Sequence, residues 1–374
     1  MKYTDEQIGY MQRALALAEK ARGFTYPNPL VGAVLVKDGK IVGEGYHKKA
    51  GTPHAEINAI SDALGNAMGA TLYVTLEPCS HYGKTPPCAN AIIRAGIKEV
   101  FIASEDPNPL VNGKGIAILK EAGITVHTGL LREQAIWQNR VFLTNQIKHR
   151  AYVILKSAMT IDGKIGPQDG TPLKITSDES IKAGHRLRRD CGAVLVGINT
   201  VIQDNPALSV RYGIATPENC PARIVIDPHL RLPIHADLLN DNQSKVIIYT
   251  AKGVSSVIKK KIEASGGQIV ELPSENGNIP PQLIAEDLWQ RELCAVLVEG
   301  GGKTVSSFLE ANLWDEYHCF IAPKFIGSHG IPAFYGTRDT MLNLKANTDV
   351  MLSGEDTHVT YYNREGVVQC LQES

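Results

Sequence analysis

An alternation of short apolar runs with stretches of helical periodicity runs along nearly the whole chain, and it constrains the fold more than any other feature. The N-terminus reads as a helix, with Thr4 and Gln7 at capping-box spacing and Ile8, Met11, Leu15 and Ala18 on one face. Tyr26-Pro27-Asn28-Pro29-Leu30-Val31-Gly32 punctuates the chain. Two apolar runs, 33–36 and 41–45, then flank Lys37-Asp38-Gly39-Lys40, which predicts strand, tight turn, strand. The spacing next predicts a helix over 54–64, a strand over 71–76, a helix from Cys88 to a stop at Gly96, a strand over 100–103, a helix over 115–122 and a strand over 124–126. Strands alternating with helices of this length imply a parallel or mixed sheet covered on both faces.

The alternation pauses in a polar, helix-prone stretch over 130–150 and resumes at Tyr152-Val153-Ile154-Leu155-Lys156. A domain boundary is therefore expected near residue 147, dividing the chain into 1–147 and 148–374. The second part again predicts strands over 193–196, 223–226, 246–249, 268–271 and 295–298 with helices between several of them, so both parts read as α/β. At roughly 150 residues per domain, 374 residues agree with two or three such units.

Charge narrows the function. With 38 Lys+Arg against 39 Asp+Glu, the chain lacks the basic excess of a nucleic-acid or membrane-surface binder. No apolar run reaches the roughly 18 residues of a spanning helix. The opening Met1-Lys2-Tyr3-Thr4-Asp5-Glu6-Gln7 has no basic-then-apolar leader pattern, so a cytoplasmic protein is expected. Seven cysteines, an odd number, suit free thiols and metal ligands better than a disulfide framework.

The most specific pattern is Pro53-His54-Ala55-Glu56, then Glu77-Pro78-Cys79, then Cys88. One imidazole and two thiolates suit Zn²⁺, one ion per chain, and three protein ligands leave a tetrahedral position open for water. Glu56, outside the ligand set, is the natural proton shuttle between that water and a leaving amine. Cys88 follows Pro86-Pro87 at a predicted helix start, where the dipole lowers a thiol's pKa. A lone histidine would more often be a satisfied core residue, but the four residues in this order favour the metal. A closed structural zinc site would need a fourth ligand, which His81 would supply only by filling the open position.

Together with Pro27-Asn28-Pro29-x-Val31-Gly32, the run from Glu77 to Cys88 through Ser80, His81, Gly83, Thr85, Pro86 and Pro87, and Asp106-Pro107-Asn108-Pro109, this pattern resembles the deaminase domain of bifunctional riboflavin biosynthesis proteins. The resemblance implies a cytidine-deaminase-like α/β/α domain that removes the 2-amino group of a diaminohydroxy-pyrimidine carrying a phosphoribosylamino substituent. It places Asn28, His47, His81, Lys84, Asp106 and Asn108 around the substrate.

In the second part, Val296-Leu297-Val298-Glu299 runs into Gly300-Gly301-Gly302 and the helix start Lys303-Thr304-Val305, a turn in which glycines let the backbone approach a phosphate. Leu155–Lys164 and the segment Gly197-Ile198-Asn199-Thr200 through Asp204-Asn205-Pro206 to Leu208, Val210 and Arg211 resemble the reductase domain of the same family. That resemblance implies a dihydrofolate-reductase-like α/β domain using NADPH. Its cofactor contacts fall on Ala158, Thr200, Asp204 and Gly301, Gly302, Lys303, Thr304, Val305, Ser306 and Ser307; its substrate contacts fall on Lys156, Arg188, Leu208, Arg211 and Glu299. Pro172 and Lys174, just before Ile175-Thr176-Ser177, depart from the Ser and Trp that family members often carry there.

The expected function is zinc-dependent deamination followed by NADPH-dependent reduction of the ribose to a ribityl chain, on a small phosphoribosylaminopyrimidine, with no nucleic-acid or membrane partner and a homo-oligomer as the assembly. One alternative is a nucleic-acid or nucleoside deaminase with a non-catalytic nucleotide-binding domain, although the longest basic cluster, Lys259-Lys260-Lys261, reads as a solvated helix face. Another is an interaction protein whose zinc is structural and whose glycine turn only packs.

Overall fold

The computed structural model describes residues 3–80, 87–106, 113–216, 220–240, 244–336 and 344–366. It divides into two compact units, one up to Lys148 and the other His149–Gly366.

The first unit begins with α1 (Asp5–Glu19), whose start is closed by a capping box: Gln7 N donates to Thr4 Oγ1 at 3.2 Å and Thr4 N to Gln7 Oε1 at 2.9 Å. Strands β1 (Gly32–Lys37) and β2 (Lys40–Tyr46) form an antiparallel hairpin. Then follow α2 (Ala55–Asp62), β3 (Thr71–Leu76), α3 (Cys88–Arg94), β4 (Glu99–Ser104), α4 (Lys114–Glu121), β5 (Thr125–Thr128), α5 (Arg132–Gln138) and α6 (Arg140–Lys148). The sheet order is β2-β1-β3-β4-β5, antiparallel at β1–β3 and parallel from β3 to β5.

Because side chains alternate across a strand, each strand feeds two cores. Ala33, Leu35, Leu72, Val74, Val100 and Ile102 pack with Ala55, Ala59, Ile92 and Leu119 from α2, α3 and α4. Val34, Val36, Tyr73 and Phe101 pack with Met11, Ala14 and Ala135 from α1 and α5. The result is an α/β/α sandwich. Helix α2 lies hard against β2: a Cβ on Gly45 would stand 2.4 Å from Ala55 O, so only glycine admits this approach.

The second unit opens with β6 (Tyr152–Thr160), β7 (Lys164–Pro167), α7 (Asp178–Asp190), β8 (Ala193–Gly197), α8 (Ile198–Asp204), β9 (Ala222–Ile226), α9 (Asp237–Asn240) and β10 (Val246–Ala251). It continues through α10 (Ser256–Ala264), β11 (Gly267–Leu272), α11 (Pro281–Gln290), β12 (Ala295–Val298), α12 (Gly302–Glu310), β13 (Glu316–Ala322), β14 (Gly330–Pro332), β15 (Ala346–Ser353) and β16 (Asp356–Asn363). Nine strands order as β11-β10-β9-β8-β12-β6-β13-β16-β15, while β14 pairs with β7 apart from them. Strands β11 to β13 run parallel and the last two antiparallel. One face buries Val153, Leu155, Leu195 and Ile224 against Leu288 and Phe308; the other buries Val194, Val196 and Val225 against Val201 and Ile262.

The strands expected in this unit are present, but the antiparallel edge went unpredicted. In β13, Tyr317 and Cys319 enter the core, while Glu316 and His318 are buried on the opposite face. They are satisfied there by Tyr152 Oη, which donates to Glu316 Oε1 at 2.8 Å, and by contacts of His318 with Glu316 Oε2 and His358 Nε2, both at 3.0 Å. Polar residues at buried positions erase the strand signature. β15 is exposed along most of its length and shows no alternation at all.

Candidate active sites

In the first unit, the end of β3, the start of α2 and the start of α3 meet. His54 is the N-cap of α2, and its side chain makes no capping bond, which leaves the ring available. Its Nδ1 lies 3.6 Å from Cys79 Sγ and 3.3 Å from Cys88 Sγ, and the three potential ligand atoms all fall within 4.8 Å of one another. A tetrahedral zinc with Zn–S of about 2.3 Å and Zn–N of about 2.0 Å sets adjacent ligand atoms about 3.6 Å apart, so these donors fit it.

The electrostatics agree. Cys88 N donates to Cys79 Sγ at 3.2 Å. The Cys88 side chain and His54 also hydrogen-bond that sulfur, outweighing burial and pulling Cys79 down to about 4. The Cys88 thiol is pushed upward by Cys79 first and by burial second. Two adjacent sulfurs resist ionising together until a cation joins them. Glu56, in the first turn of α2, is buried, and desolvation raises its carboxyl to about 7.

His47 is buried with its ring edge-on to His54, 5.4 Å between centroids. Its Nδ1 pairs with Pro53 O at 3.3 Å and its Nε2 with Asn28 Nδ2 at 3.1 Å, while burial lowers its pKa. The neutral ring thus donates to the carbonyl and accepts from the amide, fixing Asn28. Asp106 follows β4 and is half-buried. His81, Lys84 and Asn108 lie outside the described residues.

In the second unit the site is assembled from distant segments. Lys156 on β6 faces α7, where a Cβ on Gly184 would sit 3.8 Å from Lys156 Nζ. One turn along that helix Arg188 Nε donates to both Glu299 carboxylate oxygens at 3.0 Å, Nη2 adds a further bond to Glu299, and Nη1 donates to Ser209 O at 2.8 Å. The Arg188 guanidinium is thus held by Glu299 and the Ser209 carbonyl. Burial lowers the Lys156 pKa. Burial alone would raise Glu299, but Arg188 and Lys156 hold it below its ordinary value.

Arg211 is exposed, and its backbone N–H donates to His185 Nδ1 at 3.2 Å. Leu208 is buried in the core at φ +53°. His185, three residues from Arg188 on α7, had no role in the sequence reading. Burial and then Arg188 and Arg211 drive its pKa down to about 4, so it stands neutral among cations. The i, i+3 spacing to Arg188 was the available signal.

The glycine turn packs closely on neighbouring segments of the chain. Gly301 has φ +63°, and a Cβ there would lie 3.2 Å from Thr200 Oγ1; on Gly302 it would lie 2.7 Å from Pro332 O and Ala333 O. Ala158 is half-buried two residues beyond Lys156 on the same face of β6, and Asp204 ends α8 exposed. Lys303 Nζ rests 5.6 Å from the Tyr335 ring centroid. Val305 is buried in the core, Ser306 Oγ accepts from Tyr335 N at 2.8 Å, and Ser307 Oγ donates to Thr304 O at 2.8 Å. Those three side chains serve packing, and the backbone N–H groups of Thr304 and Val305 are already taken by Gly301 O, at 3.0 and 3.2 Å.

Residues 4–104 match the family described as the cytidine and deoxycytidylate deaminase zinc-binding region, and residues 151–359 match the RibD C-terminal domain. The riboflavin biosynthesis protein RibD of Aquifex aeolicus is 48% identical over 318 residues, covering 85% of this chain and 87% of that protein. That of Escherichia coli K12 is 38% identical over 332 residues, 85% and 88%. Among solved structures, Acinetobacter baumannii RibD in form 2 has a TM-score of 0.86 at 35% identity, covering 96% of this chain and 99% of that one. A Thermotoga maritima protein described as a diaminohydroxyphosphoribosylaminopyrimidine deaminase/5-amino-6-(5-phosphoribosylamino)uracil reductase has a TM-score of 0.84 at 35% identity, with the same coverage. A deaminase with a non-catalytic appendage is not favoured, since the second unit matches a reductase-type domain along most of its length. Among the described residues no helix is long and apolar enough to cross a membrane.

Proposed function

The chain belongs to the family of the riboflavin biosynthesis protein RibD, bifunctional enzymes with a zinc-binding deaminase domain and a reductase domain, and from that premise we propose a two-step reaction for it. The first unit hydrolyses the 2-amino group of 2,5-diamino-6-(5-phosphoribosylamino)pyrimidin-4(3H)-one, releasing ammonia. The second reduces the ribose of the product with NADPH, giving 5-amino-6-(5-phosphoribitylamino)uracil. The observation that carries the reading is the convergence of His54, Cys79 and Cys88 beside the buried Glu56.

His54, Cys79 and Cys88 would hold one zinc ion. When bound, zinc supplies the Lewis acidity that lets water act as a nucleophile near neutral pH. Glu56 takes a proton from the attacking water and returns it to the departing amine, which leaves as ammonia while the ring carbon becomes a carbonyl. Asn28, held by His47, orients the pyrimidine, and His81, Lys84, Asp106 and Asn108 complete the substrate contacts.

In the second unit the Gly301–Ser307 turn, Thr200, Asp204 and Ala158 would receive NADPH, whose bound nicotinamide supplies a hydride to the ribose C1′. Lys156, an amine whose acidity burial has increased, holds the proton that the opening ring oxygen takes up. Glu299 keeps Lys156 in place and Arg188 keeps Glu299 ionised. Leu208 and the exposed Arg211 contact the substrate, Arg211 at its phosphate. A cytoplasmic compartment and a homo-oligomeric assembly belong to the same proposal.

Mass-resolved turnover of the diaminopyrimidine phosphate tests this. Without NADPH the deaminated species should accumulate; with NADPH it should be consumed to the ribityl product. Failure to release ammonia from the zinc-loaded chain would overturn the deaminase assignment, and consumption of NADPH without prior deamination would overturn the order.

A further inference from the structure

Glu77 carries no assigned role, yet its buried carboxylate is the most heavily hydrogen-bonded group beside the zinc ligands. Oε1 accepts from Gly115 N at 2.9 Å and Ile116 N at 3.2 Å; Oε2 accepts from Gly113 N at 3.0 Å and Asp106 N at 3.3 Å. Four backbone donors thus converge on one side chain, two residues before Cys79. Three of them belong to the start of α4, where unpaired N–H groups and the positive end of the helix dipole favour an anion. The fourth lies on the other flank of residues 107–112, at Asp106. The approach is close: a Cβ on Gly115 would stand 2.1 Å from Pro78 O, so α4 rests directly on the turn that delivers Cys79.

We propose that Glu77 is a positioning residue for the deamination, clamping Asp106 and the start of α4 to the Glu77-Pro78-Cys79 turn so that the substrate-binding side of the site is held in register with the metal ligands. The inference rests on the first unit being the deaminase. Glu77 touches neither metal nor reacting atoms in this role. Its two oxygens are both acceptors facing donors, so an amide, which must present N–H to one pair of N–H groups, releases either Asp106 with Gly113 or Gly115 with Ile116.

The test is Glu77→Gln in the full-length zinc enzyme. KM for the diaminopyrimidine should rise roughly ten- to a hundredfold, the scale of losing one or two charge-assisted hydrogen bonds. Deaminase kcat should change far less, and bound zinc and reductase turnover should stay at wild-type levels. Combination with Asp106→Asn should be less than multiplicative in KM, because both changes act through one contact. An unchanged KM, or a parallel loss of zinc and kcat, overturns the proposal, as does a multiplicative double variant. If Glu77→Gln does not fold, amide hydrogen exchange on the wild type decides: Asp106, Gly113, Gly115 and Ile116 should exchange slowly as one group, and fast exchange at Asp106 beside a protected Gly115 overturns the clamp. A wild-type enzyme that releases no ammonia would instead defeat the deaminase reading itself.

Discussion

The two sites are built by opposite strategies. In the first unit, three ligand atoms and a buried carboxyl come from the ends of neighbouring elements, β3, α2 and α3, within a span of 35 residues from His54 to Cys88. In the second unit, Lys156, His185, Arg188, Arg211 and Glu299 are brought together from four separated segments of a nine-stranded sheet domain. A metal imposes its own geometry on its donors, so the chain that holds it shows a tight residue code. A hydride donor brings its own chemistry, and the protein's share is position and charge, which many spacings satisfy.

This contrast can be broken at several points. The largest effect is expected from Glu56→Gln, which keeps shape but removes the proton shuttle: deamination should fall about 10²- to 10⁴-fold while reduction of supplied deaminated substrate is unchanged. Parallel loss of both activities would show that the two sites are not separate. Next, Arg188→Met takes from the buried Glu299 the guanidinium that hydrogen-bonds both its oxygens and leaves it only Lys156, a change of the kind that costs up to about 3–5 kcal/mol. Urea unfolding of the second unit should shift accordingly, with zinc content unaffected; an unchanged midpoint would mean that the ion pair does not organise this site.

A smaller effect should appear with pH. His185 and His358 are both held down to about 4, chiefly by burial, against an ordinary value of 6.5. The unfolded chain therefore binds these protons first. Stability of the second unit should be full above about pH 6.5 and decline as the pH falls toward 4. His185→Gln should flatten part of that slope in urea midpoints measured between pH 7 and 5, and an identical slope would remove His185 from the account. The smallest effect is expected at Lys260→Glu on the exposed face of α10: less than about 0.5 kcal/mol in stability and no change in either activity. A large loss of activity there would revive a nucleic-acid substrate.

Much of this was legible in advance, for identifiable reasons. The capping box at Thr4 and Gln7, the hairpin of β1 and β2, and the parallel strands β8 to β12 each announce themselves through local pattern. The edge formed by β13, β16 and β15 did not, because Glu316, His318 and His358 occupy buried sheet positions and satisfy one another across strands. Likewise nothing in the local pattern pairs Arg188 with Glu299, 111 residues away in the chain.

By itself, the sequence determined the α/β class, the order of the two domain types and the identity of the candidate zinc donors, since periodicity, turn residues and metal-ligand chemistry are all local properties. Only the tertiary structure decided which charges are paired, which side chains are lost to the core, as with Leu208 and Val305, and that Glu77 gathers four backbone donors. Those outcomes depend on burial and on contacts between segments far apart in the chain, and neither is encoded in the spacing of residues along it.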